Sequence, residues 1–333
     1  MRSKRWFYAA WLVAISTVPA PGETNTIGPP MVGLALQQNP LRLRPVIGAP
    51  GAAVLGPAFT LPDDLTRLVI SPALSFALVE RATGQPLAIL PISASGVAAL
   101  REIPAAYAQS TRTEFSNSGS VAALYSSSRQ RIQILTNLPD APQLGPEFDL
   151  SSLPQPLTSL AVADDGATLL LGVSDGETGA VLRMSDPQTT VSLLTAGTPS
   201  SIKFLDAGTA LIADSKTSQL LLLTQLFSAP SITAVAGPDD GLANPSQIEV
   251  FAGQHLAAIA NAEGNAVLTL DLNTLKLTSF PAGFAVSSLA PIANRSGLLV
   301  VNADSTLFWL LAQTSGGTRL TFLPDPARLT EQP

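Results

Sequence analysis

The chain is predicted to be all-β, a single β-propeller, on three observations. First, three segments align on one pattern: PLTSLAVADDGATLLLGVSDGETGAVLRMS from Pro156, PSSIKFLDAGTALIADSKTSQLLLLT from Pro199, and PSQIEVFAGQHLAAIANAEGNAVLTLD from Pro245. Each reads as an apolar strand, a Gly-containing turn, a second apolar strand, a polar loop and a third strand. A period of about 40 residues carrying several short strands is the mark of stacked propeller blades. Second, the strands are apolar runs without clean alternation. Such strands are buried on both faces, as a blade between two neighbours must be. Third, the 28 Pro and 24 Gly are frequent but dispersed, as many short turns between many strands require.

The apolar positions taken to open each blade are Leu68, Val121, Leu160, Ile202, Ile248 and Leu289, at intervals of 53, 39, 42, 46 and 41 residues. Second strands end in ALVER (77–81), ALYSS (123–127), LLGVS (170–174), LIADS (211–215), AIANA (258–262) and LVVNA (299–303). Third strands follow at 86–92, 131–136, 180–185, 220–224, 267–271 and 307–311, and fourth strands at 97–103, 190–194, 231–236, 276–280 and 319–323. The second copy has the weakest fourth strand, near PEFDL (146–150). Six copies predict six four-stranded blades. The long interval after Leu68 leaves room for a degraded element, so seven is the alternative. VIGAPGA (46–52) resembles VAGPDDG (235–241), which ends a fourth strand. On that likeness 42–48 is expected to be an N-terminal strand that completes the C-terminal blade and removes a free sheet edge.

The propeller is placed at 41–326, after a flexible segment at 23–40 and before a C-terminal tail at 327–333. Residues 1–22 read as a secretory signal peptide. Arg2, Lys4 and Arg5 form a positive start, Trp6 to Val18 an apolar stretch of 13 residues, and Ala20-Pro21-Gly22 a small-residue cleavage site. That stretch falls short of the roughly 20 residues of a membrane span, and no later run is long enough. The expected location is the periplasm or the cell exterior of a bacterium.

Composition excludes several function classes. Net charge is −6 and no basic run follows the first five residues, which speaks against nucleic acid. The chain has no Cys, hence no disulfide, thiolate ligand or Cys nucleophile, and a single His, too few for a His-rich zinc site. No Gly-x-Ser-x-Gly elbow, P-loop or G-x-G-x-x-G helix opening occurs.

The segment ITAVAGPDDGLANPSQIEVFAGQHLAAIANAEGNAVLTLDLNT (232–274) resembles an NHL-type repeat, with its Val-Ala-Gly turn, its Pro before the first strand, an Asp or Asn ending the second strand, and a closing LDL-x-T. Ala213-Asp214 keeps the second-strand ending. The likeness is specific in two or three blades and overlaps with YVTN-type propellers of secreted bacterial proteins. It implies the fold. Such propellers serve as binding platforms, lactonases, lyases and scaffolds, so it implies no one activity.

The second-to-third loops and the blade-to-blade connections share one face around the channel mouth. They supply the candidate site residues Glu80, Asp175, Asp214, Asn261, Asn302 and Asp304, a ring of oxygens that would suit Ca²⁺. The bland reading is that these are turn residues capping strand ends. Asp63-Asp64 and Asp239-Asp240 sit in connections on that face; Asp164-Asp165-Gly166 and His255 sit in turns on the opposite one. The expected function is an exported, non-catalytic, monomeric propeller that binds a protein partner or small ligand and needs no cofactor. The alternative is a Ca²⁺-dependent hydrolase or lactonase.

Overall fold

The computed structural model describes residues 30–326 apart from 50, 154, 252–254, 294–296, 303–306 and 315–316. The expected signal peptide and C-terminal tail lie outside the described residues. Blade 1 comprises β1 (Met31–Gln37), β2 (Arg42–Ile47) and β3 (Val54–Leu55). Blade 2 comprises β4 (Leu65–Ile70), β5 (Phe76–Arg81), β6 (Ala88–Ser93), β7 (Gly96–Val97) and β8 (Arg101–Glu102). Blade 3 holds β9 (Arg112–Phe115), β10 (Ala122–Ser126), β11 (Arg131–Thr136) and β12 (Gln143–Asp149). Blade 4 holds β13 (Leu157–Val162), β14 (Leu169–Ser174), β15 (Gly179–Asp186) and β16 (Thr189–Ala196). Blade 5 holds β17 (Pro199–Asp206), β18 (Thr209–Asp214), β19 (Gln219–Thr224) and β20 (Ser231–Ala236). Blade 6 holds β21 (Pro245–Phe251), β22 (Leu256–Asn261), β23 (Ala266–Asp271) and β24 (Leu277–Pro281). Blade 7 holds β25 (Val286–Pro291), β26 (Gly297–Asn302), β27 (Phe308–Thr314) and β28 (Gly317–Phe322). The strands of each blade pair antiparallel in chain order, except that β7 and β8 share the fourth-strand place of blade 2, both pairing with β6.

The fold is therefore a seven-bladed propeller, the alternative count rather than six. The extra blade is the first one, and it carries no repeat signature. Its third strand is two residues long, and its inner strand lies at 31–37, in the segment expected to be flexible. The 42–48 stretch does not complete the C-terminal blade: β2 is the central strand of blade 1, paired with β1 and β3. Blade 3 also shifts. Its inner strand is Arg112–Phe115, and Val121 leads into β10. The sequence pattern is misleading there because RTEF carries two charges and sets Thr113 where the other inner strands bury Leu160, Ile202 or Ile248.

Seven apolar clusters lie one at each interface between neighbouring blades. The unbroken apolar runs make this work. In β14 every residue is buried; Leu169, Leu171 and Val173 pack toward blade 3, while Leu170 packs toward blade 5. Alternation is hidden because both faces meet apolar neighbours. Each fully buried Leu or Val adds roughly 1.5–3 kcal/mol. Gly172 interrupts the run because a Cβ there would sit 2.8 Å from the Pro199 Cβ, where blade 5 enters.

Inner strands are further stitched by side chains. Thr158 and Ser159 hydroxyls both donate to the Pro199 carbonyl (2.7 and 2.8 Å). Ser200 donates to Pro245 O at 2.5 Å, and Ser201 Oγ accepts from Ile248 N at 3.0 Å. The Gln247 amide both donates to and accepts from the Leu289 backbone at 2.9 Å. The polar pair opening each inner strand (TSL, SSI, SQI) thus ties blades 4 to 5, 5 to 6 and 6 to 7.

Ring closure joins blade 7 to blade 1. Leu299, Phe308, Leu310 and Leu323 pack against Ala35, Val46 and Leu55. The segment after β28 docks on β3, where Leu55 N donates to Pro324 O at 3.0 Å. The Arg44 guanidinium grips Asp325 in a two-pronged ion pair (2.6 and 2.8 Å), with both side chains mostly shielded, and its Nε donates to Gly56 O. Two-pronged, partly desolvated pairs are the strong ones. Asp325→Ala is expected to cost about 1–3 kcal/mol in urea denaturation. Glu177→Ala, which removes an exposed partner of Lys216, is expected to leave the urea midpoint unchanged.

Candidate functional site

The second-strand endings fall at the ends of β5, β14, β18, β22 and β26, and most of them are bonded to backbone. Asp214, buried at the end of β18, accepts from the backbone N–H groups of Gly197 (2.6 Å), Thr198 (2.9 Å), Lys216 (3.1 Å) and Thr217 (3.2 Å). One carboxylate thereby clasps the connection entering blade 5 to the β18–β19 turn. Burial pushes its pKa up, but the N–H bonds from Thr198, Gly197 and Thr217 outweigh it and hold it below the usual carboxylate range. Asn261 plays the same part in blade 6: its Oδ1 accepts from Ala243 N (2.7 Å) and its Nδ2 donates to Gly241 O (2.9 Å). Glu80 accepts from Ser110 N (3.0 Å), Ser110 Oγ (2.6 Å) and Arg67 Nη1 (3.2 Å). Asp175 is exposed and accepts from Glu177 N and Thr178 N within its own turn, which lowers its pKa, the Thr178 bond contributing most. Asn302 Oδ1 accepts from Leu307 N at 3.4 Å. Asp304 lies outside the described residues.

Asp214 and Asn261 aim their oxygens at N–H groups, so a cation could take those oxygens only by breaking these bonds. Among the described residues, no three His, Cys, Asp or Glu side chains gather closely enough to hold a metal ion. The other acidic turns are similarly engaged. Asp64 pairs with Arg81 (2.7 Å), Asp240 accepts from Gly237 N (3.0 Å), Asp165 from Ala167 N (2.8 Å), and Asp164 from Ser118 N and Oγ (2.8 and 2.6 Å). His255 is an exposed turn residue with φ of 49°.

The concave chemistry lies along the axis. Two chambers, about 380 and 320 Å³, open at opposite ends of the central channel. Six inner-strand side chains border both: Arg67, Thr113, Glu114, Lys203, Gln247 and Glu249. They form a charged girdle between the chambers. The larger chamber opens among the first-to-second turns, with Ser71 and Pro72 after β4 and Asn117 after β9 at its mouth, and apolar walls that include Leu36, Phe115 and Val250. Asn117 reaches from blade 3 to Phe204 O of blade 5 (2.7 Å) beside that mouth. The smaller chamber is lined by hydroxyls, among them Ser159, Ser201 and Ser287, and by Arg112.

Within the girdle Lys203 Nζ meets Glu249 Oε1 at 3.2 Å, and the same oxygen accepts from Gln247 Nε2 at 3.1 Å. Arg67 is held by Glu80 and by Ser110 O (2.7 Å). Glu114 is partly exposed on the channel yet ringed by protein. That surrounding raises its pKa by desolvation, against the pull of Lys203 and Arg112. Sequence reasoning places the site on loops and misses these strand residues. A signal was present: in a chain only 13% charged, charges interrupt the inner strands TRLVI, RTEF, SIKF and QIEV, one in each except RTEF, which has two.

No family model matches the chain, and no curated protein matches it in sequence. Solved structures do. A functionally unknown protein from Desulfotomaculum acetoxidans aligns with a TM-score of 0.61 at 14% identity, over 89% of this chain and all of that one. A Bacteroides fragilis protein provisionally assigned as a 6-phosphogluconolactonase aligns at 0.57 and 11%, over 90% and 95%. The Cps50 (Swd1) β-propeller domain of Myceliophteria thermophila aligns at 0.56 and 10%, over 80% and 89%. At such identities the likeness is one of fold: this chain shares the β-propeller architecture with them.

Asp214→Ala strips four N–H groups of their acceptor and is expected to cost about 2–4 kcal/mol. Because the folded pKa lies below the unfolded one, the stabilisation is present at neutral pH, above the unfolded pKa, and fades as pH falls from there through the folded pKa. Urea denaturation of wild type and Asp214→Asn across that acid range checks it. The gap between them should be widest at neutral pH and shrink in acid.

Proposed function

We propose that the chain is an exported, non-catalytic binding propeller whose recognition site is the central channel and its wider mouth. One observation carries this reading: a charged girdle set in a channel whose larger chamber has apolar walls, the mixture that binding cavities use for affinity and orientation. The loop acceptors that could have formed a catalytic ring are engaged in holding the blades. Export rests on the positive, apolar and small-residue succession of residues 1–22.

Two measurements test it. The protein recovered from the envelope or medium should begin after Gly22 by intact mass; recovery of the whole chain from the cytoplasm contradicts export. Hydrogen–deuterium exchange with the source cell's envelope extract should slow amides of β4, β9, β17 and β21. Slowing confined to the outer strands contradicts a channel site.

A hydrolase reading has one supporting observation, the likeness to the Bacteroides fragilis protein, and it would place a Ca²⁺ ion on the loop ring. Ca²⁺ at 100 times its dissociation constant would add about 2.7 kcal/mol of stability. The binding reading predicts the same melting temperature in Ca²⁺ and in EDTA; a rise with Ca²⁺ favours the hydrolase.

A further inference from the structure

The channel has charges left over once the girdle's pairs are made. Arg67 is paired with Glu80, and Lys203 with Glu249, both at 3.2 Å. Arg112 and Glu114 remain, two residues apart on β9. Among the described residues, the Arg112 side chain makes no ion pair or hydrogen bond, and the Glu114 carboxyl accepts none. A guanidinium carries five donors in a planar fork matched to a carboxylate.

The chamber walls set the rest of the ligand. Ile70, Phe115, Val250, Pro291 and Val301 offer apolar surface on the side of the girdle away from Arg112. From this the geometry points to the girdle as a site for a small organic anion, a carboxylate on an apolar body. Its head meets Arg112 and Lys203, and its body fills the larger chamber. The inference rests on the channel as the binding site and adds the ligand's class. The sign of the head follows from Arg112, whose fork is left without a partner once the two ion pairs cancel. Lys203, Arg112 and Arg67 act on Glu114 as cations and Glu249 as an anion, and desolvation favours its neutral form. A neutral Glu114 does not oppose the anion, and its O–H donates to the incoming carboxylate.

The test titrates the mature protein with hexanoate and, separately, with hexylamine, following inner-strand amides by NMR at about pH 6 and about pH 8, where hexanoate stays ionised. Hexanoate should bind and hexylamine should not, and any pH dependence should favour the lower pH. Arg112→Gln should weaken hexanoate about tenfold, the equivalent of about 1.4 kcal/mol. Glu114→Gln should keep hexanoate binding at both pH values, with no pH dependence; melting curves establish that both variants are folded. Hexylamine binding that Glu114→Gln abolishes would overturn the anion assignment in favour of a cation. Binding of neither probe would also overturn it. In that case, channel protection by envelope extract leaves the binding reading standing, and its absence removes both.

Discussion

The packing of blade 7 against blade 1 is the contact on which everything else rests. A blade of apolar strands has two faces to bury and only its neighbours to bury them against. An open row of seven would leave two apolar faces in water and two inner strands without partners. Closure covers both, through Leu299, Phe308 and Leu310 against Ala35, Val46 and Leu55. The axis exists only because the ring closes, and so does the channel with its girdle. Blade 1 has three strands rather than four, and its outer strand β3 is only two residues long. The chain end compensates: Leu323 fills the cluster, Pro324 accepts from Leu55, and Asp325 locks onto Arg44.

The loop face and the channel divide the polar residues between two tasks. On the loop face, acceptors at the second-strand endings clasp backbone N–H groups that would otherwise go unpaired. What the position requires is a side chain with an acceptor oxygen, and Glu80, Asp214, Asn261 and Ser174 all meet it. That requirement explains why residue identity varies around the ring while geometry persists. In the channel the inner strands have no neighbour on the axial side. Charged groups stand there in protein-shaped surroundings that are only partly wet, where charges interact more strongly than on a surface and electrostatic recognition is effective.

Legibility in the sequence followed the same division. The middle strands could be read directly, because runs such as LLLGV and LIAD must be buried on both faces. So could the turns, through Gly, Asp and Pro. The six later blades repeat one pattern, so their order was clear. Blade 1 was hidden because its strands MVGLALQ and RLRPVI do not share that pattern, and because 46–52 imitates the end of a fourth strand. The inner strand of blade 3 was hidden because RTEF carries its charges toward the channel, where apolar periodicity has nothing to detect. The loop residues were found in sequence, but their partners were not. Gly197 and Thr198 meet Asp214 only after a whole blade has folded. The girdle gathers Arg67, Glu114, Lys203 and Glu249 from four blades, and no local pattern relates them.

Native-state hydrogen exchange of the ligand-free protein tests closure most directly. If the ring is one cooperative unit, the amides of Leu55, β1 and β2 exchange through the same global opening as those of β14, with the same dependence on denaturant. If those of blade 1 open at much lower free energy while β14 stays protected, the ring does not depend on that contact, and the account of the channel built on it is wrong.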